Sequence, residues 1–494
     1  MRQSGILMHI TSLPGPYGIG TLGQPSRDFV DFLKQAGQSS WQILPLNPTG
    51  YGDSPYQSNS AYAGNIYLIS LPLLIEEGLL LQSEADSVCW ESQPERVDYG
   101  LMYQHRVKIL RLAYSRFSGS EEFDAFCKAH SHWLSDYALY TALKQQHKGA
   151  PWYKWEEGLK FRDPEIIWQA RRSLKDEIRF HCFLQYLFFR QWNDLHSYAK
   201  ENGIRIIGDV PIYVPYDSAD VWANPEWFQL DAELTPTRVA GCPPDGFSED
   251  GQLWGNPLYR WDLLKKDGYR WWLNRLRAAA NLYDVVRLDH FRGFEAYWSI
   301  PYGDTTAKGG KWVTGPGLSF IQTIQKELPE LELIAEDLGT LTDSVLELRD
   351  TCGLPGMKVL MFAFDSPEPS DYLPHNCIRN AVCYTGTHDN MTTRQWFDTA
   401  SPEAVDYATR YMNLSKNEGL VWGVIRTALS TACDLCIIPM QDYLDLGKQA
   451  RMNFPGTLSQ ENWSWRAPKG YASPALIKKI HDLTALYHRL DRKS

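Results

Sequence analysis

Acidic side chains end four short apolar segments of this 494-residue sequence. Asp209 ends IRIIGD, Asp289 ends VVRLD, Glu336 and Asp337 end LIAED, and Asp389 ends TGTHD. If these segments are parallel strands of one barrel, their carboxyl ends meet at one mouth, where the active sites of such barrels lie. One such acid is usually a helix cap, but acids on four separate strands indicate a site. Converging carboxylates either bind a divalent cation or cleave a glycosidic bond, one as nucleophile and one as general acid/base.

The neighbours of these acids favour glycosidic chemistry over metal binding. Arg287 lies two residues before Asp289, so both side chains project from the same side of the strand. A guanidinium there keeps Asp289 ionised, as a carboxylate nucleophile requires, and would repel a cation. His290 and His388 adjoin two of the acids and can donate hydrogen bonds to sugar hydroxyls, although a single histidine is more often structural. We therefore predict no metal site and no cofactor.

The sequence contains eight short apolar runs, and the acids lie at the ends of four of them. Helical patterns separate most of the runs. The runs cover residues 5–10, 41–46, 204–210, 283–288, 331–335, 357–361, 381–385 and 435–438. Nearly continuous apolar runs are typical of parallel strands that are buried on both faces. Eight of them alternating with helices predict an α/β fold, a (β/α)8 TIM barrel. An open, doubly wound sheet is the alternative, because periodicity does not show whether a sheet closes.

The chain contains no flexible linker and no repeat, so residues 1–494 are expected to form a single catalytic barrel with insertions. Residues 66–165 break the alternation of strands and helices. They show helical patterns, for example at 123–146, and no clear strand. This stretch is therefore predicted to be an inserted, mainly helical subdomain.

The composition excludes several classes of partner. Lys and Arg total 49 and Asp and Glu total 59, so the net charge is −10, which argues against nucleic acid and anionic membranes. No apolar run approaches the roughly 18 residues that span a bilayer, and the first ten residues lack a signal-peptide pattern. The nine cysteines are irregularly spaced, as in a reduced cytoplasmic protein. The 19 Trp, 27 Tyr and 19 Phe suit stacking on sugar faces, although most are expected in an aromatic core.

Seven segments together resemble the amylomaltase or disproportionating-enzyme family, glycoside hydrolase family 77 of the α-amylase clan. They are GDSPYQSNSAYAGN (52–65), IIGDVPIYVPYDSADVW (206–222), GCPPDGFSEDGQLWGNPLY (241–259), VVRLDHFRGF (285–294), IAEDLG (334–339), YTGTHDN (384–390) and RMNFPGT (451–457). They occur in the family's order over nearly the whole chain. The resemblance implies a 4-alpha-glucanotransferase of starch and glycogen metabolism, which transfers a segment of an α-1,4-glucan to the 4-hydroxyl of another glucan or of glucose.

The resemblance also implies roles for individual residues. Asp289 matches the nucleophile that forms a covalent glucosyl intermediate, Glu336 matches the general acid/base, and Asp389 matches the third carboxylate, which stabilises the transition state. The substrate-binding side chains would be Arg287, His388, His290, Asp209, Ser54, Tyr56, Asp245, Trp254 and Asp365. The two catalytic carboxyl groups of such a retaining enzyme should stand about 5–5.5 Å apart. Glu336 must begin protonated, so its pKa should be raised by burial and by nearby carboxylates.

Two architectural expectations follow from the same resemblance. Residues 213–270 should form an inserted, loop-rich subdomain whose loop 241–259 covers the active-site cleft. The family lacks the C-terminal β-sandwich of typical α-amylases, which agrees with the helical pattern at 473–490.

Alternatives to the transferase remain open at this point. An α-glucan hydrolase of the same clan would carry the same acids, because water and sugar compete for one intermediate. A catalytically silent glycan-binding protein would not need a nucleophile, and a metal-dependent barrel enzyme would lose activity in chelator. The expected partners are maltooligosaccharides and other α-1,4-glucans, with no obligatory protein partner evident. The expected location is cytoplasmic, although a mature plastid form would have the same sequence features.

Overall fold

The structure, a computed structural model, describes residues 2–50, 52–244, 248–339, 341–365 and 369–490. Within these ranges the strands are β1 (Gln3–Leu7), β2 (Ser40–Gln42), β3 (Arg205–Val210), β4 (Arg238–Cys242), β5 (Gln252–Pro257), β6 (Val285–Leu288), β7 (Ala296–Pro301), β8 (Lys311–Thr314), β9 (Glu332–Ala335), β10 (Gly356–Val359), β11 (Ala381–Tyr384) and β12 (Leu435–Pro439).

Eight of these strands form one parallel sheet in the order β10-β11-β12-β1-β2-β3-β6-β9. The sheet curves until its two end strands meet, and the Ala335 amide donates to the carbonyl of Pro355, just before β10, at 2.9 Å. The core strands β6 and β11 are buried at every position, as their unbroken apolar runs require. The predicted (β/α)8 barrel and its eight strands are therefore confirmed, and the open sheet is excluded.

Helices cover the outside of the barrel and fill the long connection between β2 and β3. They are α1 (Gln24–Gln35), α2 (Leu71–Glu76), α3 (Gln82–Ala85), α4 (Tyr99–Arg116), α5 (Glu121–Ala129), α6 (Ser131–Gln146), α7 (Glu157–Lys160), α8 (Pro164–Ser173), α9 (Lys175–Glu201), α10 (Ala219–Ala223), α11 (Trp261–Lys266), α12 (Arg270–Leu282), α13 (Arg292–Glu295), α14 (Gly317–Glu327), α15 (Asp343–Thr351), α16 (Thr393–Thr399), α17 (Pro402–Met412), α18 (Leu420–Ser430), α19 (Met440–Tyr443) and α20 (Pro474–Leu486).

Helix α9 shows how the sequence directs this packing. Its apolar residues Phe180, Leu184, Leu187 and Leu195 fall on one face and are buried against the barrel and α6. The helical pattern that begins at Asp163 is divided into α8 and α9, and the Asp163 carboxylate accepts from the amides of Glu165 and Ile166 at the start of α8.

A second, antiparallel sheet was not predicted from the sequence. Its strand order is β5-β4-β7-β8, so it combines two strands from the β3–β6 connection with two from the β6–β9 connection. The sheet therefore links two neighbouring loops above the mouth of the barrel.

The described ranges contain neither a membrane-spanning helix nor a cluster of side chains arranged to hold a metal ion. None of the helices in the described ranges is both long and apolar enough to cross a membrane. Across the same ranges, no group of three or more His, Cys, Asp or Glu side chains is arranged to hold a metal ion. The last described helix is α20, which lies within the helical pattern predicted at 473–490.

Candidate active site

Backbone hydrogen bonds align the acids at the carboxyl ends of three neighbouring strands. The Asp289 amide donates to the Val210 carbonyl at 3.1 Å, and the Glu336 amide donates to the Leu288 carbonyl at 3.1 Å. These bonds extend the pairing of β3 with β6 and of β6 with β9 by one step. The barrel itself therefore positions Asp209, Asp289 and Glu336 beside one another.

Arg287 connects two of these carboxylates. Its Nη1 donates to Asp289 Oδ1 at 2.9 Å and to Asp209 Oδ2 at 2.6 Å, and the Arg287 side chain is only 4% exposed. Burial raises the pKa of Asp289, but the guanidinium opposes that shift and so favours the carboxylate. Asp289 is 27% exposed and Asp209 only 1%. A substrate can therefore reach Asp289, whereas Asp209 serves to hold Arg287.

Tyr56 contacts both Asp209, in this group of polar side chains, and His388, which follows β11. Its hydroxyl donates to Asp209 Oδ2 at 2.8 Å, and its ring stacks on His388 with centroids 5.1 Å apart. Burial and the charge of Asp209 raise the pKa of Tyr56 well above its usual value, so it remains a donor. Tyr56 therefore connects the Asp209–Arg287 pair to the β11 side of the mouth.

Glu336 is held by two backbone amides. Oε2 accepts from the His290 amide at 2.7 Å, and Oε1 accepts from the Leu338 amide at 3.0 Å. His290 adopts a φ of 51°, a left-handed conformation that costs about 1 kcal/mol and so is maintained by its surroundings. Burial raises the pKa of Glu336 to about 8; Arg287 opposes this shift and the charge of Asp289 adds to it. Glu336 is thus mostly protonated at neutral pH.

Asp389 is the most accessible of the three acids, with 44% of its side chain exposed. Asn453 Nδ2 donates to its Oδ1 at 2.7 Å, and His388 Nε2 lies 3.3 Å from its Oδ2. Arg451 donates to the Asp389 carbonyl at 2.8 Å, which fixes the backbone as well. The segment 451–453, some 60 residues further along the chain, therefore orients this carboxylate.

The two histidines beside the acids are neutral. Burial lowers the pKa of His388. Burial and the nearby Arg292 lower the pKa of His290 to about 3. Trp254 packs edge-on against the His290 ring, with centroids 4.9 Å apart. A neutral imidazole can donate one hydrogen bond and accept another, which suits a sugar hydroxyl.

Other candidate residues have different surroundings. Ser54 Oγ accepts from the Tyr56 amide at 3.2 Å and so supports the turn that carries Tyr56. Asp365 accepts from Trp396 Nε1 at 2.9 Å, which identifies a structural partner for it. Asp337 is buried in an ion pair with Arg349 and is not directed to the cleft. Asp245 lies outside the described residues.

Sequence reasoning singled out neither Asn453 nor Arg451 as site residues. The only signal for them was their place in the segment RMNFPGT, which contributed to the family resemblance. Trp463 was also missed, and its ring lies 5.7 Å from that of Tyr56 and 5.9 Å from that of His388. These three residues reach the site only through the tertiary fold.

Comparison with known proteins gives one consistent result. The sequence profile of glycoside hydrolase family 77, described as 4-alpha-glucanotransferase, matches residues 8–471. A 4-alpha-glucanotransferase of Clostridium butyricum is 48% identical over 98% of this chain and 100% of that protein. One of Thermus thermophilus is 49% identical over 99% of both chains. The solved structure of an amylomaltase from Streptococcus agalactiae in complex with acarbose has a TM-score of 0.97 and 40% identity, and covers 99% of this chain and 100% of its own.

Proposed function

The chain belongs to glycoside hydrolase family 77 and is a 4-alpha-glucanotransferase, and from this premise we propose that it works by retaining double displacement on α-1,4-glucans. A glucan segment would pass from a donor to Asp289 and then to the 4-hydroxyl of another glucan or of glucose. The observation that best supports the proposal is the different surroundings of two neighbouring acids. Arg287 bonds to Asp289 and opposes the rise that burial causes in its pKa, whereas burial raises the pKa of Glu336 to about 8.

The first step forms the covalent intermediate. A carboxylate oxygen of Asp289 attacks the anomeric carbon while the glycosidic C–O bond breaks. Glu336 gives its proton to the departing oxygen, which leaves as the 4-hydroxyl of the shortened glucan. The two backbone amides that bind Glu336 also stabilise the carboxylate that remains after the proton has left.

The second step transfers the glucosyl segment to its acceptor. The 4-hydroxyl of another glucan attacks the anomeric carbon, and the ester bond to Asp289 breaks. Glu336, now ionised, takes the proton of that hydroxyl and so returns to its starting form. Each step inverts the anomeric centre, so the product retains the α configuration.

Asp389 and the histidines act on the sugar hydroxyls rather than on the bond that breaks. The Asp389 side chain is partly exposed, and Asn453 and His388 hold it at the mouth. A carboxylate there accepts hydrogen bonds from hydroxyls of the reacting sugar, and these bonds can strengthen as positive charge develops in the transition state. His388 and His290 can donate to further hydroxyls.

Incubation with pure maltotriose tests the transfer. We expect glucose together with a ladder of longer maltooligosaccharides, while the total number of reducing ends stays nearly constant. Reducing ends that rise steadily would show a hydrolase, and an unchanged substrate would show a silent binding protein. The cytoplasmic location remains a prediction from the sequence; one relative, from Solanum tuberosum, is named as chloroplastic or amyloplastic.

A further inference from the structure

The side chain of Met357 lies against Arg287 in the interior of the barrel. Met357 is the second residue of β10 and is buried, and its Sδ accepts a hydrogen bond from Arg287 Nε at 3.5 Å. Strand β9 lies between β6 and β10 in the closed sheet, so this bond joins two strands that do not pair with each other. From the sequence, Met357 is predicted only to belong to an apolar strand.

The sulfur supplies an acceptor to a buried cation. The two hydrogens of Arg287 Nη1 go to Asp209 and Asp289, which leaves the Nε hydrogen directed at β10. A buried donor without an acceptor is destabilising, and more so when it belongs to a charged group. Arg287 Nε therefore needs a partner at this position, and Met357 Sδ is the one that the structure gives it.

A thioether suits this position because it carries no charge. A carboxylate at Nε would draw part of the guanidinium charge away from Asp209 and Asp289. Sulfur is a weak, polarizable acceptor, so the positive charge remains directed at the two carboxylates. An aliphatic side chain of the same size would fill the space but would offer Nε no acceptor.

The backbone of Met357 is fixed by Asp337, the buried acid that follows Glu336. The Met357 amide donates to Asp337 Oδ1 at 2.7 Å, which continues the contact between β9 and β10. Asp337 Oδ2 pairs with Arg349, and both side chains are buried. A Cβ atom at Gly356 would lie 2.3 Å from Asp337 Oδ2, so the close approach of this strand requires glycine. The sulfur is therefore presented to Arg287 from a fixed strand.

We propose that Met357 is a positioning residue for the transfer reaction, whose sulfur orients the Arg287 guanidinium so that this cation holds Asp289 as an ionised nucleophile. Met357 acts through Arg287 and not on the substrate. The role of Asp289 as the nucleophile rests on the proposed function. A methionine that only fills the core would tolerate a same-sized aliphatic replacement, whereas a methionine that supplies an acceptor would not.

Loss of the sulfur should change the acid side of the pH profile. The guanidinium opposes the rise that burial causes in the pKa of Asp289, so a less firmly held Arg287 lets that pKa rise further. The ascending limb of kcat/KM, where Asp289 ionises, should then move to higher pH. The other titratable groups that face Asp289 are the same in both proteins; they are Asp209, Glu336, Asp389, His388 and Tyr56.

Met357→Leu tests this role, because leucine has nearly the same volume and no acceptor. With maltotriose, kcat/KM should fall about tenfold, mainly through kcat, while KM changes by less than about threefold. The ascending limb should move up by about 0.5 pH unit or more. Met440→Leu is the matched control, because Met440 is equally buried and follows β12, four strands from β6 in the closed sheet; its kinetics should match those of the parent.

Two results with Met357→Leu would overturn the proposal. Kinetics like those of Met440→Leu would show that Met357 only fills the core. A lower kcat/KM with an unmoved ascending limb would show a packing defect that does not reach Asp289.

A double-mutant cycle with Arg287→Lys tests whether Met357 acts through the guanidinium. Lysine has no donor at the position of Nε, so in that background Met357→Leu should lower kcat/KM by less than about twofold. A tenfold loss in both backgrounds would contradict an action through Arg287. Failure of the proposed function would look different, because Asp289→Asn would then keep its activity regardless of the effect of Met357→Leu.

Discussion

The protonated state of Glu336 has a measurable effect on stability. Burial raises its pKa from the ordinary 4.5 to about 8, so the folded protein binds this proton more tightly than the unfolded chain does. The stabilising contribution is complete below pH 4.5 and is lost as the pH rises toward 8. A shift of that size corresponds to at most about 5 kcal/mol of unfolding free energy. Glu336→Gln mimics the protonated side chain, and because glutamine does not ionise, its contribution to stability does not change with pH.

We therefore expect Glu336→Gln to become progressively more stable than the parent protein between pH 5 and pH 9. Guanidinium denaturation at several pH values measures the difference, which should grow by at least about 1 kcal/mol over this range. Buried carboxyls such as Asp209 are common to both proteins and cancel in the comparison. Glu330→Gln is the matched control, because Glu330 is exposed and its replacement should give a nearly constant difference. If the difference in unfolding free energy between Glu336→Gln and the parent were also constant with pH, it would refute the conclusion that Glu336 is a buried, protonated acid.

Three other predictions concern the reaction itself. Asp289→Asn should reduce activity by orders of magnitude while maltooligosaccharide binding changes by less than about tenfold; more than a few per cent of residual activity would exclude Asp289 as the nucleophile. The pH profile of kcat/KM should fall about tenfold per pH unit above pH 8, where Glu336 loses its proton, and a profile that is flat to pH 9.5 would contradict that role. Asn453→Ala removes the 2.7 Å bond to Asp389 and should lower kcat/KM for maltotriose about tenfold, because a hydrogen bond to a charged group contributes about 1.5 kcal/mol; unchanged kinetics would show that Asp389 needs no such support.

The barrel could be predicted from the sequence because its strands are buried on both faces. Their apolar runs are nearly continuous, as in VVRL of β6, and helices follow them at regular intervals. Closure of the sheet could not be predicted, because it depends on strand stagger and on the meeting of β9 with β10. The structure supplies that contact through Ala335 and Pro355.

The antiparallel sheet escaped prediction for the opposite reason. Strand β5 mixes exposed and buried positions, and β8 has no fully buried residue, so neither gives an apolar run or a clear alternation. The strands also come from two separate connections of the barrel, and pairing of β4 with β7 joins residues about 60 positions apart. Local sequence patterns carry no information on such a pairing.

Part of the site was accessible to sequence reasoning and part was not. Asp289 and Glu336 follow directly on strands, so strand recognition was enough to place them at the mouth. The bond from Asn453 to Asp389 spans 64 residues and depends on the path of a loop. Asp365 is expected among the substrate-binding residues, and this role stays a prediction. Its carboxylate accepts from Trp396, a partner that the sequence does not reveal.

The covalent intermediate on Asp289 is the central claim, and trapping it tests that claim most directly. Glu336→Gln lacks the proton donor for natural glucans, but α-glucosyl fluoride has a good leaving group and needs little protonation. Glycosylation of Asp289 should therefore proceed, and the intermediate should accumulate because its breakdown lacks a base. Intact-mass measurement should show an added hexose, which peptide mapping should place on Asp289. A hexose on Asp389, or rapid turnover of natural glucan by this variant, would contradict the account.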